Sequence, residues 1–298
     1  MNRYALLAVV AVTPAHAAVL EAGPGKPYDK PSAAIAKAHD GDTIRIAPGI
    51  YEDCAIIRQN GITVEAATSA TLTTKTCGEK AILVITGTKV TIRGLTLANA
   101  KVPDRNGAGI RAEGRELLIE NTTLLNNENG VLINANPAAT VLIRQSTFAG
   151  NGHCDPVCAH GIYASHIKSL KIENSHFINQ HVGHHIKSRA EQTIIINSDI
   201  QDGPTGDSSY LIDIPNGGGA LIQNNTLGKS IRSKNLGFAI MIGEEGETRP
   251  KAPIVISGNR FSNETGRFSV FVRNETQTPA QLSDNTTTGA SVRLLEGR

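Results

Sequence analysis

The chain has 298 residues, 40% of them hydrophobic and 19% charged, with 29 Lys and Arg set against 27 Asp and Glu. That near-balance argues against a nucleic-acid binder, which carries a basic excess or stripe. With no Trp and only 4% aromatics, binding has to rest on polar and charged contacts rather than on aromatic sugar-stacking platforms.

Residues 1–17, MNRYALLAVVAVTPAHA, join an early cation, Arg3, to an apolar run from Ala5 to Val12 and an Ala-His-Ala ending. The pattern predicts a secretory signal peptide cleaved after Ala17, because the run is too short to span a bilayer. No later stretch approaches the ~18 apolar residues of a membrane span. Residues 18–298 are then expected as one domain, monomeric, in the periplasm or outside the cell. The segment KPSAAIAKAHDGD (30–42) predicts a short helix over Ala33–Ala38, with Ser32 as N-cap and Gly41 ending it.

The cysteines are Cys54, Cys77, Cys154 and Cys158, an even set that predicts disulfides in an exported protein. Cys154 and Cys158 stand in HCDPVCAH beside His153 and His160. Two Cys and two His also raise a zinc site, but finger spacing is absent and an oxidising compartment favours a local disulfide. Cys54 and Cys77 are separated by close to one repeat of the pattern described next, which would bring them together on stacked coils.

From about residue 42 the chain repeats itself: LLIENTTLLNN (117–127), VLIRQSTFAGN (141–151), LKIENSHFINQ (170–180), IIINSDIQD (194–202), ALIQNNTLGKS (220–230) and IVISGNRFSNE (254–264). Each holds an alternating strand, a polar anchor (Asn121, Gln145, Asn174, Asn197, Asn224 or Gly258) and then an apolar residue (Leu124, Phe148, Phe177, Ile200, Leu227 or Phe261). Shorter strands accompany them: AGIRAE, GVLINA, HGIYAS, HHIKSR, YLIDIP and FAIMIG. A period of roughly 21 to 34 residues with several short strands and no long helix reads as a solenoid of parallel strands. The anchoring Asn either stack in amide ladders or serve as turn residues.

The pairing of AAIAKAHDGDTIRIAPGIYED with the Gly-Ile and Ile-x-x-x-x-Phe repeats resembles the right-handed parallel β-helix superfamily. That group includes pectate-lyase-like enzymes, uronan lyases and epimerases, and periplasmic copper-processing proteins. The resemblance implies an all-β, single-stranded right-handed parallel β-helix with a short N-terminal capping helix. It leaves the activity open, because this fold hosts many.

Alternation along a strand then orients the stretch VGHHIKSRA (182–190). If Ile186 and Ser188 face inward, His185, Lys187 and Arg189 face outward together. Aligning Ile162 and Ile212 with Ile186 stacks Tyr163, Lys187 and Asp213 on one outer face, with coils ~4.8 Å apart. Seven of nine histidines fall between 153 and 185, and a Cys-clamped loop should overhang the same face. A solvated ion-pair ladder is the competing account. It is weighed down by charges that look scattered elsewhere and by histidines with no evident structural purpose.

The chemistry expected there acts on an acidic, uronic-acid-containing polysaccharide: removal of a proton alpha to a carboxylate, by a lyase or an epimerase. Lys187 would be the base if Arg189 lowered its pKa, with Asp213 pushing the other way. Arg189 would hold the carboxylate, Tyr163 or His185 would donate the proton, and Asp213, His184, His153 and His160 would line the binding surface. Polygalacturonases and pectin methylesterases fit less well, since no Gly-His-Gly and no paired exposed aspartates are found. The sequence specifies no cofactor; calcium could be held by Asp202, Asp207, Glu244 or Glu245. The alternatives are a non-catalytic solenoid binding a glycan or, through its histidines, copper, and a purely structural surface protein. As surface positions, Lys187 and Arg189 should each matter to stability by only about 0.5 kcal/mol.

Overall fold

The computed structural model describes residues 17–155 and 157–298, so the expected signal peptide lies outside the described residues except for Ala17. The chain winds as a right-handed parallel β-solenoid of about 11 turns. A full turn lays two strands in a 19-stranded sheet, as Glu116–Glu120 and Thr123–Leu125 do, and one in a ten-stranded sheet, as Asn129–Ile133 does.

Stacked columns of apolar side chains make the core, and two of them show the repeat most plainly. In the smaller sheet Leu83, Ile110, Val131, Ile162, Ile186, Ile212, Ile240 and Val272 are in register from coil to coil. All eight are 0% exposed, each contributing about 1.5–3 kcal/mol of burial. The recurrent Leu124, Phe148, Phe177, Ile200, Leu227 and Phe261 form the second column, with Phe148 and Phe177 stacked at 4.5 Å.

The corners settle what the anchors do. Asn121, Gln145, Asn174, Asn197, Asn224 and Gly258 all have φ between 47° and 65°, the left-handed conformation that Asn and Gly tolerate best. They are turn formers. The ladder runs one position later, through Thr122, Ser146, Ser175, Ser198, Asn225 and Asn259. There each backbone N–H donates to the side-chain oxygen of the next coil, as from Ser198 to Asn225 Oδ1 and from Asn225 to Asn259 Oδ1, both at 2.9 Å. Buried corner amides are thereby satisfied without water.

The N-terminus departs from expectation. Strand Val19–Ala22 pairs in parallel with Thr43–Ile46, so the solenoid begins ahead of the helix and not near residue 42. The helix spans Pro31–Lys37 and buries Ala34 and Ile35, but the end of the larger sheet is a strand rather than the expected cap. Ser32 lies inside the helix, with Pro31 in the first turn and Lys30 at the N-cap. Its N–H donates to Asp53 Oδ2 at 2.8 Å. The helix closes at Lys37, before Gly41.

Cys54 pairs with Cys77, Cα atoms 5.5 Å apart, and Cys154 pairs with Cys158 across a two-stranded antiparallel hairpin. All four thiols are consumed, which removes the zinc alternative and suits an oxidising compartment. Among the described residues no helix is long and apolar enough to cross a membrane.

Candidate functional site

Three consecutive strands of the smaller sheet, Ile162–Ala164, Ile186–Ser188 and Ile212–Ile214, turn their isoleucines inward. The residue between must therefore face away from the core. Tyr163, Lys187 and Asp213 are accordingly aligned in one column. Arg189, just past its strand, donates from Nε to Tyr163 Oη at 3.2 Å and from Nη1 to Asn216 Oδ1 at 2.8 Å. Its guanidinium carbon sits 5.6 Å from the Tyr163 ring centroid. Glu245, from the segment after strand Phe238–Ile242, closes the group. Arg189 Nη2 donates to its Oε1 at 2.9 Å, Nη1 donates to Oε2, and Lys187 Nζ donates to Oε1 at 3.0 Å.

Lys187 Nζ is also 2.8 Å from Asp213 Oδ2, yet neither oxygen of this fully buried carboxylate has an aligned hydrogen bond. The contact is a charge pair with poor direction. Burial pushes the Asp213 carboxyl up to about 6, against the pull of Lys187 and helped by Glu244 and Glu245. Burial by itself would lower Lys187, but Asp213 and Glu245 outweigh it and leave its pKa raised. The ammonium of Lys187 is thus favoured, and of the two opposing pulls expected on it that of Asp213, joined by Glu245, is the stronger. Glu245 is drawn down to about 2, first by its bonds from Arg189 and then by Lys187, with burial opposing.

Beside this column runs a second one, Asn129, His160, His184 and Tyr210, each two residues before the first inward residue of its strand. His160 N–H donates to Asn129 Oδ1 at 2.9 Å, His184 N–H to His160 Nδ1 at 3.0 Å, and Tyr210 N–H to His184 Nδ1 at 3.0 Å. The rings stack, His160 on His184 at 4.9 Å and His184 on Tyr210 at 5.0 Å. The histidines do have a structural purpose here. Burial, reinforced by nearby cations, lowers the pKa of His160 to about 3 and that of His184 well below its usual value.

The remaining expected site residues separate. His185 does not face outward with Lys187: it is 1% exposed, with Nε2 3.3 Å from Asp202 Oδ1. It precedes the strand, in a bend where alternation does not apply. His153 lies on the hairpin and lines a neighbouring hollow with Arg105 and His181, because the antiparallel turn carries it away from Lys187. The acidic residues proposed for calcium do not converge. Asp202 serves His185, Ser208 and Ser230, and Asp207 accepts from Val182 N–H. Glu244 accepts from Tyr210 Oη and Glu245 from the cations above. Sequence reading missed Tyr210 and Asn216 as members of the site; Tyr210 could have been found from its spacing to Ile212, which repeats that of His184 to Ile186.

Asn129, His160, Tyr163, His184, Lys187 and Arg189 line a cleft of about 440 Å³. A hollow of about 530 Å³ lies elsewhere, over Ile178, Ile231 and Arg232. Its Lys229 turns inward to Ser209 O, so it gathers no comparable set of cations.

Copper does not fit the cleft. His160 and His184 each spend Nδ1 on a backbone N–H, which places the remaining proton on Nε2 and leaves no free lone pair in the ring. Both nearby cysteines are in a disulfide. Among the described residues no three His, Cys, Asp or Glu converge as a metal site.

The family described as periplasmic copper-binding protein (NosD) matches residues 35–235. No curated protein sequence matches the chain. Among solved structures it is similar to the alginate lyase from Paenibacillus sp. str. FPU-7, with TM-score 0.62 and 17% identity over 94% of this chain and 98% of that one. The pectate lyase Pel9A gives TM-score 0.57 and 14% identity over 93% and 80%. The pectin methylesterase from Aspergillus niger gives 0.51 and 10% over 94% and 93%. Likeness at these identities shows a shared fold alone.

Proposed function

This chain belongs to the NosD family of β-helix proteins, and on that premise we propose that its cleft binds and cleaves an acidic polysaccharide of uronic acids. One observation carries the reading. Adjacent coils bring a phenol, Tyr163, and two cations, Lys187 and Arg189, to one cleft, with Arg189 Nε bonded to the Tyr163 oxygen at 3.2 Å. That is the set a β-elimination needs: groups to neutralise a carboxylate, one to take a proton and one to give a proton.

In the step proposed, Tyr163 first gives its phenolic proton to solvent and reacts as the phenolate held by Arg189 Nε. It takes the proton alpha to the uronate carboxylate and becomes the phenol again, while the electron pair of the broken carbon–hydrogen bond forms the new carbon–carbon double bond. The glycosidic carbon–oxygen bond breaks, and the leaving oxygen takes a proton from Lys187. Arg189 neutralises the carboxylate and keeps its hydrogen bond to the Tyr163 oxygen as charge passes through it. Lys187 is the donor because its environment favours the ammonium. These roles exchange those expected from the residues alone, and His185 has none. An epimerase would use the same two groups on opposite ring faces without breaking the bond.

The alginate lyase and pectate lyase likenesses support the substrate class only as proteins of the same fold. The two disulfides support an exported location. The test is a panel of polyuronates incubated with the purified protein, with the ultraviolet absorbance of unsaturated ends followed over time. New absorbance with one polymer, lost in Tyr163→Phe, is the expected result. Saturable copper binding with no activity on any polyuronate would put the family's description in its place.

A further inference from the structure

We propose that Arg189 and Lys187 form a carboxylate receptor whose resting occupant is Glu245 of the same chain, and that a uronate carboxylate binds by displacing that side chain. The inference rests on the glycan reading above and adds where the acidic group sits and what it must compete with.

The receptor is complete in the structure. Arg189 presents two N–H groups to the two oxygens of Glu245, and Lys187 Nζ adds a third bond to Oε1 at 3.0 Å. A two-pronged guanidinium contact is the geometry by which carboxylates of any source are recognised. Arg189 is held for that task from behind, by Asn216 Oδ1 at 2.8 Å and by the Tyr163 oxygen. Its own carbonyl accepts from Arg249 Nε at 2.8 Å. The Glu245 side chain contrasts with this rigid seat, being 42% exposed.

Displacement needs no loop opening. The Glu245 backbone N–H donates to Pro215 O at 2.8 Å, and the N–H groups of Thr248 and Arg249 both donate to Asn216 O. The backbone stays tied to the preceding coil while the side chain alone rotates into water. Charge keeps the exchange balanced. Lys187 and Arg189 face Asp213 and Glu245, so an arriving carboxylate replaces one anion by another and leaves no buried cation unpaired. Asp213 cannot be the group that leaves, because it is fully buried.

The experiment compares the full-length mature protein with Glu245→Gln and Glu245→Ala. Calorimetry would use tetramers of guluronate, mannuronate and galacturonate; NMR shifts of the Arg189 Nε–H and Tyr163 signals would use monomeric glucuronate. Thermal melting of each variant confirms folding. Both variants should bind the acidic tetramer, and glucuronate, about three- to fivefold more tightly than wild type, as expected when a half-exposed competing ion pair is removed. Glucuronate binding that is equal or weaker in both variants overturns the displacement, whatever the tetramers do. No saturable glucuronate shift at Arg189 in any variant overturns the receptor itself. Tighter glucuronate binding in Glu245→Gln with no effect of any tetramer would retire the polysaccharide reading and leave the receptor standing.

Discussion

Two columns of charge run along this solenoid. On the larger sheet Arg45, Glu65, Arg93, Glu120 and Arg144 alternate coil by coil, joined by ion pairs of 2.6–3.7 Å. On the smaller sheet Lys187 stands between Tyr163 and Asp213 with Arg189 alongside. The arginines of the first column are 39–48% exposed; Lys187 is 12%, Arg189 19% and Asp213 0% exposed. The charges outside the cleft are therefore ordered, not scattered, and a ladder of ions by itself marks nothing. What separates the two is water. In the exposed column each pair is worth about 0–1 kcal/mol; in the cleft burial raises the Asp213 carboxyl against the pull of Lys187, while Asp213 and Glu245 outweigh burial at Lys187.

The comparison breaks most visibly on turnover. With a polyuronate identified by the screen, Tyr163→Phe should lose about a hundredfold or more in kcat, as expected for loss of a proton-transfer group, whereas Arg93→Ala should keep the wild-type rate. Equal losses in both would show that the cleft has no special chemistry.

Stability separates the columns next. Lys187→Ala leaves Asp213 buried without its cation and should cost about 3 kcal/mol by chemical denaturation, well above the half kilocalorie expected of a surface lysine. The double variant Lys187→Ala with Asp213→Asn should recover much of that loss. If the double variant is no better than the single one, the buried pair is not the source.

A pH series sharpens the contrast further. The folded-state pKa of His160 is lowered from 6.5 to about 3. Its neutral form therefore contributes stability that is present above 6.5 and is lost as pH falls toward 3. His160→Asn places at this position the residue that already serves as acceptor one coil earlier, at Asn129. Relative to that variant, wild type should lose up to about 1.4 kcal/mol per pH unit below 6.5. Parallel curves for the two proteins would mean that His160 titrates normally. Asp213 runs the other way: its pKa is raised from 3.8 to about 6, so its contribution is present below 3.8 and lost as pH rises through 6. Relative to Asp213→Asn, wild type should weaken across that window, and a carboxyl NMR titration should place the midpoint near 6.

The smallest effect belongs to the exposed column. Arg93→Ala should change stability by about 0–1 kcal/mol, and the difference should fade as salt is raised. A larger, salt-insensitive loss would erase the distinction drawn between the two ladders.

Much of this site was legible one residue at a time. Ile162, Ile186 and Ile212 announce their inward faces by alternation, and from them the stacking of Tyr163, Lys187 and Asp213 follows without coordinates. His185 shows where that rule stops: it lies one residue before the strand begins, and in the bend its ring turns to Asp202 inside. His160 and His184 show a second limit. Their clustering looked like a binding surface, but their Nδ1 atoms are acceptors for the next coil's backbone, a use that composition does not announce.

By itself the sequence determined the solenoid, its stacked columns and the face on which Tyr163, Lys187 and Asp213 meet, because strand period and coil repeat are local properties that a pattern of apolar residues carries. Only the tertiary structure decided that Asp213 is sealed from water, that Lys187 stays an ammonium, and that Glu245, 56 residues beyond Arg189 in the chain, occupies the cations. Desolvation depends on which distant segments cover a group, and no spacing along the chain records what will lie above it.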